Sequence, residues 1–313
     1  MSTVVVTGAS GFIGRKLCAA LRSDARVRAV VRGEGVAGPW DETIRADLAR
    51  DDLPRDALAG ADVVFHFAGK AHAVSERRAD DDEYRRINVD GTRRVLEAAS
   101  RAGVARVVFA SSVKAMGEGD GTQGSLTPYG QSKLDGEALA RDGGFVSEPV
   151  VLRLSLVYGP DAGGNLGAML RAVASGRFPP PPRVVNRRAM VHVDDVVRAA
   201  IAASTRAYQA TGPLVIGDGV PYSTFGIYAA MRRALGRSVP DVTLPAPAWR
   251  ALAKAGDCAG RVLGRRAPFD SEAYRKLFGS AWYEPSDVKT LLGLADLKTL
   301  DDALPAMVAQ LRR

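Results

Sequence analysis

The 313-residue sequence has few of the residues that build disulfide frameworks and metal sites. Two cysteines, Cys18 and Cys258, are too few for a disulfide-stapled scaffold. Three histidines, His66, His72 and His192, are scattered without zinc-ligand spacing. The sequence therefore predicts no metal site, and we interpret His66 and His192, which lie in strand-like runs, as structural.

The sequence also lacks a basic leader and any apolar run long enough to cross a membrane. From this we predict a cytoplasmic protein without a membrane partner. The hydrophobic content of 46% and charged content of 25% are ordinary for a globular chain. The length allows one large domain or two closely packed lobes.

Basic residues outnumber acidic ones by 43 to 35, which gives a net charge of +8. A basic surface can indicate nucleic-acid binding, but here the basic residues are spread along the whole chain. Solvated helix faces, or attraction of an anionic small molecule such as a diphosphate, explain this spread better. We therefore predict no nucleic-acid partner.

Apolar, β-branched runs alternate with helical patterns in the first half of the chain. The predicted strands are Thr3–Val6, Val27–Val31, Asp62–Phe67, Ala105–Ala110 and Val150–Leu156. The patterns at 13–21 and 83–102 predict helices between them. Such alternation is typical of an α/β protein with a Rossmann-type, doubly wound parallel sheet.

The alternation loosens after about residue 160. Short strands are predicted at Ala189–Val193, Leu214–Ile216 and Val242–Leu244, with helices at Asp194–Ser204 and Ser223–Leu235. We predict an NAD(P)-binding Rossmann domain formed by residues 1–160 with returning segments near 189–217. Residues 161–188 and 218–313 are predicted to form a smaller α/β substrate-binding lobe.

The segment VVVTGASGFIG places three glycines, Gly8, Gly11 and Gly14, between the first strand and a helix. Such a turn lets a pyrophosphate approach the helix N-terminus, although glycines there can also serve packing alone. The spacing is G-x-x-G-x-x-G rather than G-x-G-x-x-G. We predict a dinucleotide site that includes Phe12 and Ile13.

Three further segments are candidates for the same cofactor. The second strand ends at Arg32, where an Arg can accommodate the 2′-phosphate of NADP and an acid would favour NAD; Glu34 lies close by. NAD and NADP both remain open, with a slight preference for NADP. The other candidates follow later strands: Asp47 and Leu48 at the adenine, and Phe67, Ala68 and Gly69 with Lys70 beside the cofactor backbone.

The segment TPYGQSK holds Tyr129 and Lys133 four residues apart, behind Thr127 as a candidate N-cap and a proline suited to the first turn. Residues at i and i+4 share one helix face, so the two side chains are neighbours if this segment is helical. The pair alone could be a coincidence on a surface helix.

Five segments, TGASGFIG, FHFAGKAH, INVDGT, FASSVKAMG and TPYGQSK, together resemble the extended short-chain dehydrogenase/reductases, specifically the NAD(P)-dependent nucleotide-sugar epimerase/dehydratase family. The likeness continues through LRLSLVYGP and RRAMVHVDD and weakens beyond about residue 240. It implies a nucleotide-diphosphate sugar substrate, most simply a UDP-sugar, and a homodimer.

The resemblance also implies roles for individual residues. Tyr129 is the acid/base, Lys133 favours its phenolate and binds the nicotinamide ribose, and Ser112 hydrogen-bonds the reacting oxygen. Asn88 braces the Tyr/Lys helix or the cofactor. The residues assigned to the substrate side are Ser111, Lys114, Asn165 and Arg188, with Arg187 as a possible substitute for Arg188. The alternative role of Ser111 is to support the loop or the cofactor.

The sequence departs from the family pattern after Ser112. Dehydratases carry Asp-Glu there, whereas this chain has Val113 and Lys114, so we exclude sugar dehydration. Lys114 can contact substrate or be a solvated loop residue. The remaining alternatives are a sugar 4-epimerase, an NADPH-dependent reductase of a 4-keto-6-deoxy sugar and, ranked lower, a non-catalytic NADP-binding sensor.

Overall fold

The computed structural model describes residues 1–71, 79–117, 125–205, 207–209, 211–264, 267 and 269–311. Its strands are β1 (Ser2–Thr7), β2 (Ala25–Val31), β3 (Glu42–Arg45), β4 (Val63–His66), β5 (Arg106–Ser112), β6 (Glu148–Leu154), β7 (Leu156–Tyr158), β8 (Met190–His192) and β9 (Leu214–Ile216).

Seven strands form one sheet in the order β3-β2-β1-β4-β5-β6-β9, and every neighbouring pair is parallel. Strand β5 is buried along its whole length, as expected when helices cover both faces. The chain leaves β1 toward β2 on one side and later returns to β4 on the other. This reversal opens a crevice at the carboxyl ends of β1 and β4, and it confirms the predicted Rossmann-type α/β fold.

The helices lie on both faces of the sheet and in the C-terminal part. They are α1 (Phe12–Leu21), α2 (Ala79–Tyr84), α3 (Gly91–Arg101), α4 (Pro128–Asp142), α5 (Gly164–Ala174), α6 (Val193–Ser204), α7 (Thr224–Ala234), α8 (Ala246–Leu263), α9 (Ser271–Phe278), α10 (Val288–Leu292) and α11 (Leu300–Gln310). Among the described residues, no helix combines the length and apolarity needed to cross a membrane.

Two apolar layers sandwich the sheet. One packs residues of α1 and α6 against one face, and the other packs residues of α3 and the end of α4 against the opposite face. A third apolar cluster joins α5, α7 and α11 beside the short parallel pair β7-β8. The predicted run Val150–Leu156 is divided at Ser155, where the chain passes from β6 to β7.

The strand predicted at Val242–Leu244 was wrong. This segment is irregular, lies between Pro240 and Pro245, and leaves Val242 84% exposed. Its one backbone hydrogen bond among the described residues joins Leu244 N–H to the carbonyl of Pro180 at 3.0 Å. Prolines on both sides limit ladder pairing, so the β-branched composition alone misled the prediction.

The single helix predicted over 83–102 is also interrupted. A π-helical turn, Arg85–Asp90, separates α2 from α3. Such a turn inserts one residue into the helical ladder, which a search for 3.6-residue periodicity does not detect. Asn88 is buried within this turn, and it faces the crevice end of the sheet through the contacts described below.

Candidate active site

The glycine loop after β1 is packed too closely for side chains. Gly8 has φ +71°, and a Cβ there would lie 2.6 Å from the backbone of Phe67 and Ala68 after β4. A Cβ on Gly14 would lie 2.1 Å from the carbonyl oxygen of Gly8. Gly11 N–H donates to that same carbonyl at 2.9 Å. The first and third glycines are therefore required by close approach of backbone to backbone.

Helix α1 begins at this loop with its N-terminus uncapped by any side chain. Gly11 is the N-cap residue and the first turn carries no acidic residue. Phe12 and Ile13 are half-buried in that turn. Free N–H groups and the helix dipole favour an anion at such a position. The loop therefore fits the pyrophosphate of a dinucleotide.

A buried hydrogen-bond chain ties β1 to β4 just below the loop. Thr92 Oγ1 donates to the carbonyl of Asn88 at 2.6 Å, so it must accept from His66 Nε2 at 2.9 Å. His66 Nδ1 then accepts from Thr7 Oγ1 at 2.7 Å, and Ala68 N–H donates to Thr7 at 3.1 Å. Burial lowers the pKa of His66 to about 3, which keeps the imidazole neutral. This network supports the structural interpretation of His66.

Asn88 links the segment after β4 to α4. Its Oδ1 accepts from Lys70 N–H at 2.7 Å, and its Nδ2 donates to Ser132 Oγ at 2.9 Å. Ser132 in turn donates to the carbonyl of Tyr129 at 2.8 Å. A Cβ on Gly69 would lie 3.0 Å from Asn88 Oδ1. The predicted brace from Asn88 to the Tyr/Lys helix thus has its contacts in the structure.

The side chain of Lys70 turns toward α2. Its Nζ donates to Glu83 at 2.5 Å and lies 4.9 Å from the centroid of the Tyr84 ring. A direct contact between Lys70 and a cofactor stays a prediction.

Helix α4 is positioned by a cap and two glycines. Thr127 Oγ1 accepts from Gly130 N–H at 3.1 Å, as predicted for an N-cap. A Cβ on Gly130 would lie 2.5 Å from the carbonyl oxygen of Lys114, and one on Gly136 would lie 2.9 Å from the Phe109 ring. These approaches press α4 against β5 and the turn that follows it.

Tyr129 and Ser112 are hydrogen-bonded to each other at the carboxyl end of β5. Both are at least nine-tenths buried, and the Tyr129 ring lies 5.6 Å from that of Tyr84. Burial raises the pKa of Tyr129 to about 12, and the hydrogen bond with Ser112 opposes this shift. An interaction between a tyrosine hydroxyl and a serine hydroxyl is what the predicted acid/base and its partner require.

Lys133 lies one turn behind Tyr129 and is also buried. Its Nζ donates to the carbonyl of Ala110 at 2.6 Å and lies 4.8 Å from the Phe109 ring centroid. Burial lowers its pKa to about 8. Burial favours the neutral form of both groups, and the expectation that Lys133 lowers the pKa of Tyr129 stays a prediction.

Ser111 does not share the environment of Ser112. Its hydroxyl donates to Glu137 at 2.5 Å, and Arg153 of β6 holds the same carboxylate. The structure thus engages Ser111 in a buried polar cluster, and its substrate role stays a prediction. Lys114 is half-buried in the 3₁₀ turn Val113–Met116, and its N–H donates to Ser112 Oγ at 3.2 Å.

The residues predicted for the adenosine end lie beyond β2 and β3. Arg32 is exposed directly after β2, while the carboxylate of Glu34 is paired with Arg45. Asp47 Oδ1 accepts from a nearby backbone N–H, and Leu48 is buried with its carbonyl bound by Arg94 at 2.9 Å. Arg32 is the cation nearest the end of β2 in sequence, and Arg45 offsets the negative charge of Glu34.

The residues predicted for the substrate are less concentrated. Asn165 is exposed at the start of α5, whose N-cap Gly163 provides no side chain. Arg188 donates to the carbonyl of Lys276 near the end of α9, and burial lowers its pKa. Arg187 stacks on Trp282, 4.4 Å from the ring centroid. Substrate contacts of Asn165 and Arg188 stay predictions.

The remaining sequence predictions concern metal binding and the histidines His72 and His192. Within the described ranges, no group of three or more His, Cys, Asp or Glu side chains could hold a metal ion. His72 lies outside the described residues. His192 caps α6, because its Nδ1 accepts from Asp194 N–H at 3.2 Å.

Comparison with known proteins places this site in a family. The NAD dependent epimerase/dehydratase family matches residues 4–217, and the chain belongs to it. It is a nicotinamide-dependent enzyme of the extended short-chain dehydrogenase/reductase type. The chain is 28% identical to the UDP-glucose 4-epimerase of Vibrio cholerae across 96% of its own length and 92% of that protein. It is also 35% identical to a ceramide reductase of Caulobacter vibrioides over 64% of its length and 60% of that protein.

Solved structures give the same assignment. MoeE5 in complex with UDP-glucuronic acid and NAD is similar with a TM-score of 0.75 and 28% identity, over 99% of both chains. The UDP-glucuronic acid 4-epimerase of Bacillus cereus, in complex with UDP-glucuronic acid and NAD, reaches a TM-score of 0.76 over 99% of both chains. Its identity of 23% supports the fold alone.

Several residues of the site were not predicted from the sequence. Thr7 and Thr92 complete the His66 chain, Tyr84 packs beside Tyr129, and Glu137 with Arg153 lies behind Lys133. The available signal for Glu137 was its spacing, one helical turn after Lys133. Its partner could be found only from the register of β5 and β6.

Proposed function

We propose that this chain is a nucleotide-sugar 4-epimerase that acts on a UDP-hexose by hydride transfer at the sugar C4. The observation that carries the proposal is the hydrogen-bonded pair Ser112–Tyr129 with buried Lys133 one turn behind, beside the glycine loop. The first-named relative, a UDP-glucose 4-epimerase, and the UDP-sugar complexes of MoeE5 support this substrate class.

The residues divide the chemistry between them. Tyr129 removes the proton of the C4 hydroxyl and later returns it, while Ser112 hydrogen-bonds the same oxygen. Lys133 supplies positive charge that favours the phenolate of Tyr129. Gly8, Gly11 and Gly14 would hold the pyrophosphate of the cofactor, whose nicotinamide would supply the hydride acceptor and donor at that carbon.

The substrate diphosphate is assigned to the C-terminal part. Arg188 and Asn165 are proposed to bind it, with Lys114 near the sugar. The division into a Rossmann domain and a substrate lobe belongs to this proposal, and it agrees with the separate apolar cluster of α5, α7 and α11. A homodimer and a cytoplasmic location, both expected from the sequence, stay predictions.

An NADPH-dependent reductase of a nucleotide-linked 4-keto-6-deoxy sugar is the second candidate. Exposed Arg32, with Glu34 neutralised by Arg45, favours the 2′-phosphate of NADP over NAD. Reductases also occur among the relatives. A reductase uses the same Ser112, Tyr129 and Lys133 but consumes one reduced cofactor in each turnover.

Sugar interconversion distinguishes the two functions. Purified protein is incubated with UDP-glucose or UDP-galactose, and separately with their N-acetylated amino sugars, while products and absorbance at 340 nm are followed. An epimerase reaches the same mixture from either epimer with no net change in reduced cofactor. A reductase leaves these sugars unchanged and oxidises NADPH when a 4-keto sugar is supplied.

Tyr129→Phe tests the assigned acid/base in the same assay. We expect a loss of about 10²–10⁴-fold in turnover with cofactor binding retained. Tyr208→Phe is the matched control, because the buried Tyr208 hydroxyl has no hydrogen-bond partner among the described residues. Full activity in Tyr129→Phe would exclude the assigned mechanism.

A further inference from the structure

Glu137 is a buried carboxylate directly behind the catalytic pair. It lies on α4 one turn after Lys133, and its side chain is 2% exposed. Arg153 donates to both carboxylate oxygens, with Nε to Oε1 at 2.9 Å and Nη2 to Oε2 at 2.6 Å. Ser111 donates to Oε1 at 2.5 Å. Since β5 and β6 pair Ser111 with Arg153, both partners reach the carboxylate from one level of the sheet.

The ion pair is asymmetric with respect to solvent. The Arg153 side chain is 19% exposed, whereas Glu137 is almost completely buried. Water therefore screens the positive charge more than the negative one, and the negative charge acts inside the low-dielectric core beside Lys133. The Lys133 ammonium donates to a neutral carbonyl, that of Ala110.

Within the part of the chain that the structure describes, the other charged or titratable groups around Lys133 do not supply this charge. His66 from β4 is neutral, and Tyr129 on α4 has a raised pKa. The Lys70 ammonium, on the segment after β4, is paired with Glu83. Among the described residues, Glu137 is the group that raises the pKa of Lys133 against the effect of burial.

We propose that Glu137 is a positioning residue that keeps Lys133 in its ammonium form and holds α4 against β5 and β6. It does not touch substrate and acts through Lys133, so the inference rests on the proposed role of Lys133. Loss of the carboxylate charge then weakens the binding of the proton to Lys133, even where the helix stays in place.

Lysine NMR tests this directly and needs no substrate. The chain has eight lysines, so protein labelled with ¹³C at lysine Cε gives few resonances, and that of Lys133 is assigned by its loss in Lys133→Met. The titration midpoint of Lys133 is followed in wild type and in Glu137→Gln. We expect the midpoint to fall by about one pH unit in Glu137→Gln.

Two further variants test whether charge determines the direction of the shift in the Lys133 midpoint. Glu137→Asp keeps the charge and should keep the midpoint near the wild-type value. Arg153→Gln removes the offsetting charge and should raise the midpoint, so the inference can be tested even if Glu137→Gln does not fold. A purely structural role predicts the same response to loss of either partner.

Glu148→Gln is the matched control. Glu148 also pairs with an arginine of β5, Arg106, at 2.6 Å, but at the amino ends of the strands, away from Lys133. Its loss should leave the Lys133 midpoint unchanged. The inference is overturned if Glu137→Gln leaves the midpoint where it is in wild type, or lowers it no more than Glu148→Gln does.

Enzyme activity provides the second readout. The ammonium form of Lys133 is required for turnover. The alkaline limb of the profile of turnover against pH should therefore move to lower pH in Glu137→Gln, and Glu137→Asp should restore the wild-type limb. A shifted NMR midpoint without sugar interconversion would leave the Glu137 inference standing and reject the assigned reaction. A moved limb with an unmoved midpoint would reject the inference.

Discussion

The two ends of the crevice along the sheet are built differently. At the catalytic end, Ser112, Tyr129 and Lys133 are buried and held by hydrogen bonds to neighbouring elements. At the β2 end, Arg32 is exposed, and the ion pair of Glu34 with Arg45 is on the surface. We therefore expect changes at the catalytic end to alter the protonation of buried groups. Changes at the β2 end should alter only charges that water and salt screen.

The largest effect on the free energy of unfolding is expected from the buried ammonium of Lys133. The pKa of Lys133 in the folded protein is about 8, below its ordinary value of 10.5. Between these two pH values the unfolded chain holds a proton that the folded protein has lost, so the stability contributed by this group rises with pH. Relative to Lys133→Met, the wild type should gain up to about 3 kcal/mol from pH 8 to pH 10.5.

Chemical denaturation of both proteins at pH 7, 8, 9, 10 and 10.5 measures this difference. Lys254→Met removes an exposed ammonium from α8 and is the control. A stability difference between wild type and Lys133→Met that stays constant with pH would contradict the effect of burial, and with it the contrast between the two ends.

A smaller effect is expected from the close packing of α4. In Gly130→Ala, the new Cβ would lie 2.5 Å from the carbonyl oxygen of Lys114, so the helix or the turn must shift. Overpacking of this kind costs about 1–3 kcal/mol. Because Tyr129 is adjacent, we also expect turnover to fall by about 10²-fold through misplacement of its hydroxyl.

Gly212→Ala is the matched control for Gly130→Ala, since a Cβ there would meet nothing within 4 Å. Urea unfolding and turnover are measured for both variants. Equal stability and turnover in the two variants would show that α4 tolerates the shift, and that the catalytic end is less tightly constrained than its contacts indicate.

The sequence predicts much of the catalytic end because local spacing determines it. The glycines at 8, 11 and 14 follow a strand directly, and Tyr129 and Lys133 share a helical turn. The cluster of Glu137 and Arg153 could not be predicted, because the register of β5 and β6 brings it together. The π-helical turn at Asn88 was missed because its extra residue lies outside the helical period.

The smallest effect is expected at the β2 end, and it concerns cofactor choice rather than stability. Arg32→Asp replaces an exposed cation with an acid suited to the ribose hydroxyls of NAD. NADP affinity should fall by about 10-fold, the loss expected for one charge-assisted hydrogen bond, while NAD affinity holds or improves. Titration with each cofactor at low and at physiological salt measures the ratio.

Screening provides an internal check on Arg32→Asp, because the exposed charge should matter less as ionic strength rises. Arg45→Gln frees Glu34 from its ion pair and should shift the ratio toward NAD in the same direction, by a smaller factor. If Arg32→Asp leaves the NADP to NAD ratio unchanged at both salt concentrations, Arg32 does not select the cofactor. Preference at the β2 end would then depend on buried contacts, as protonation does at the catalytic end.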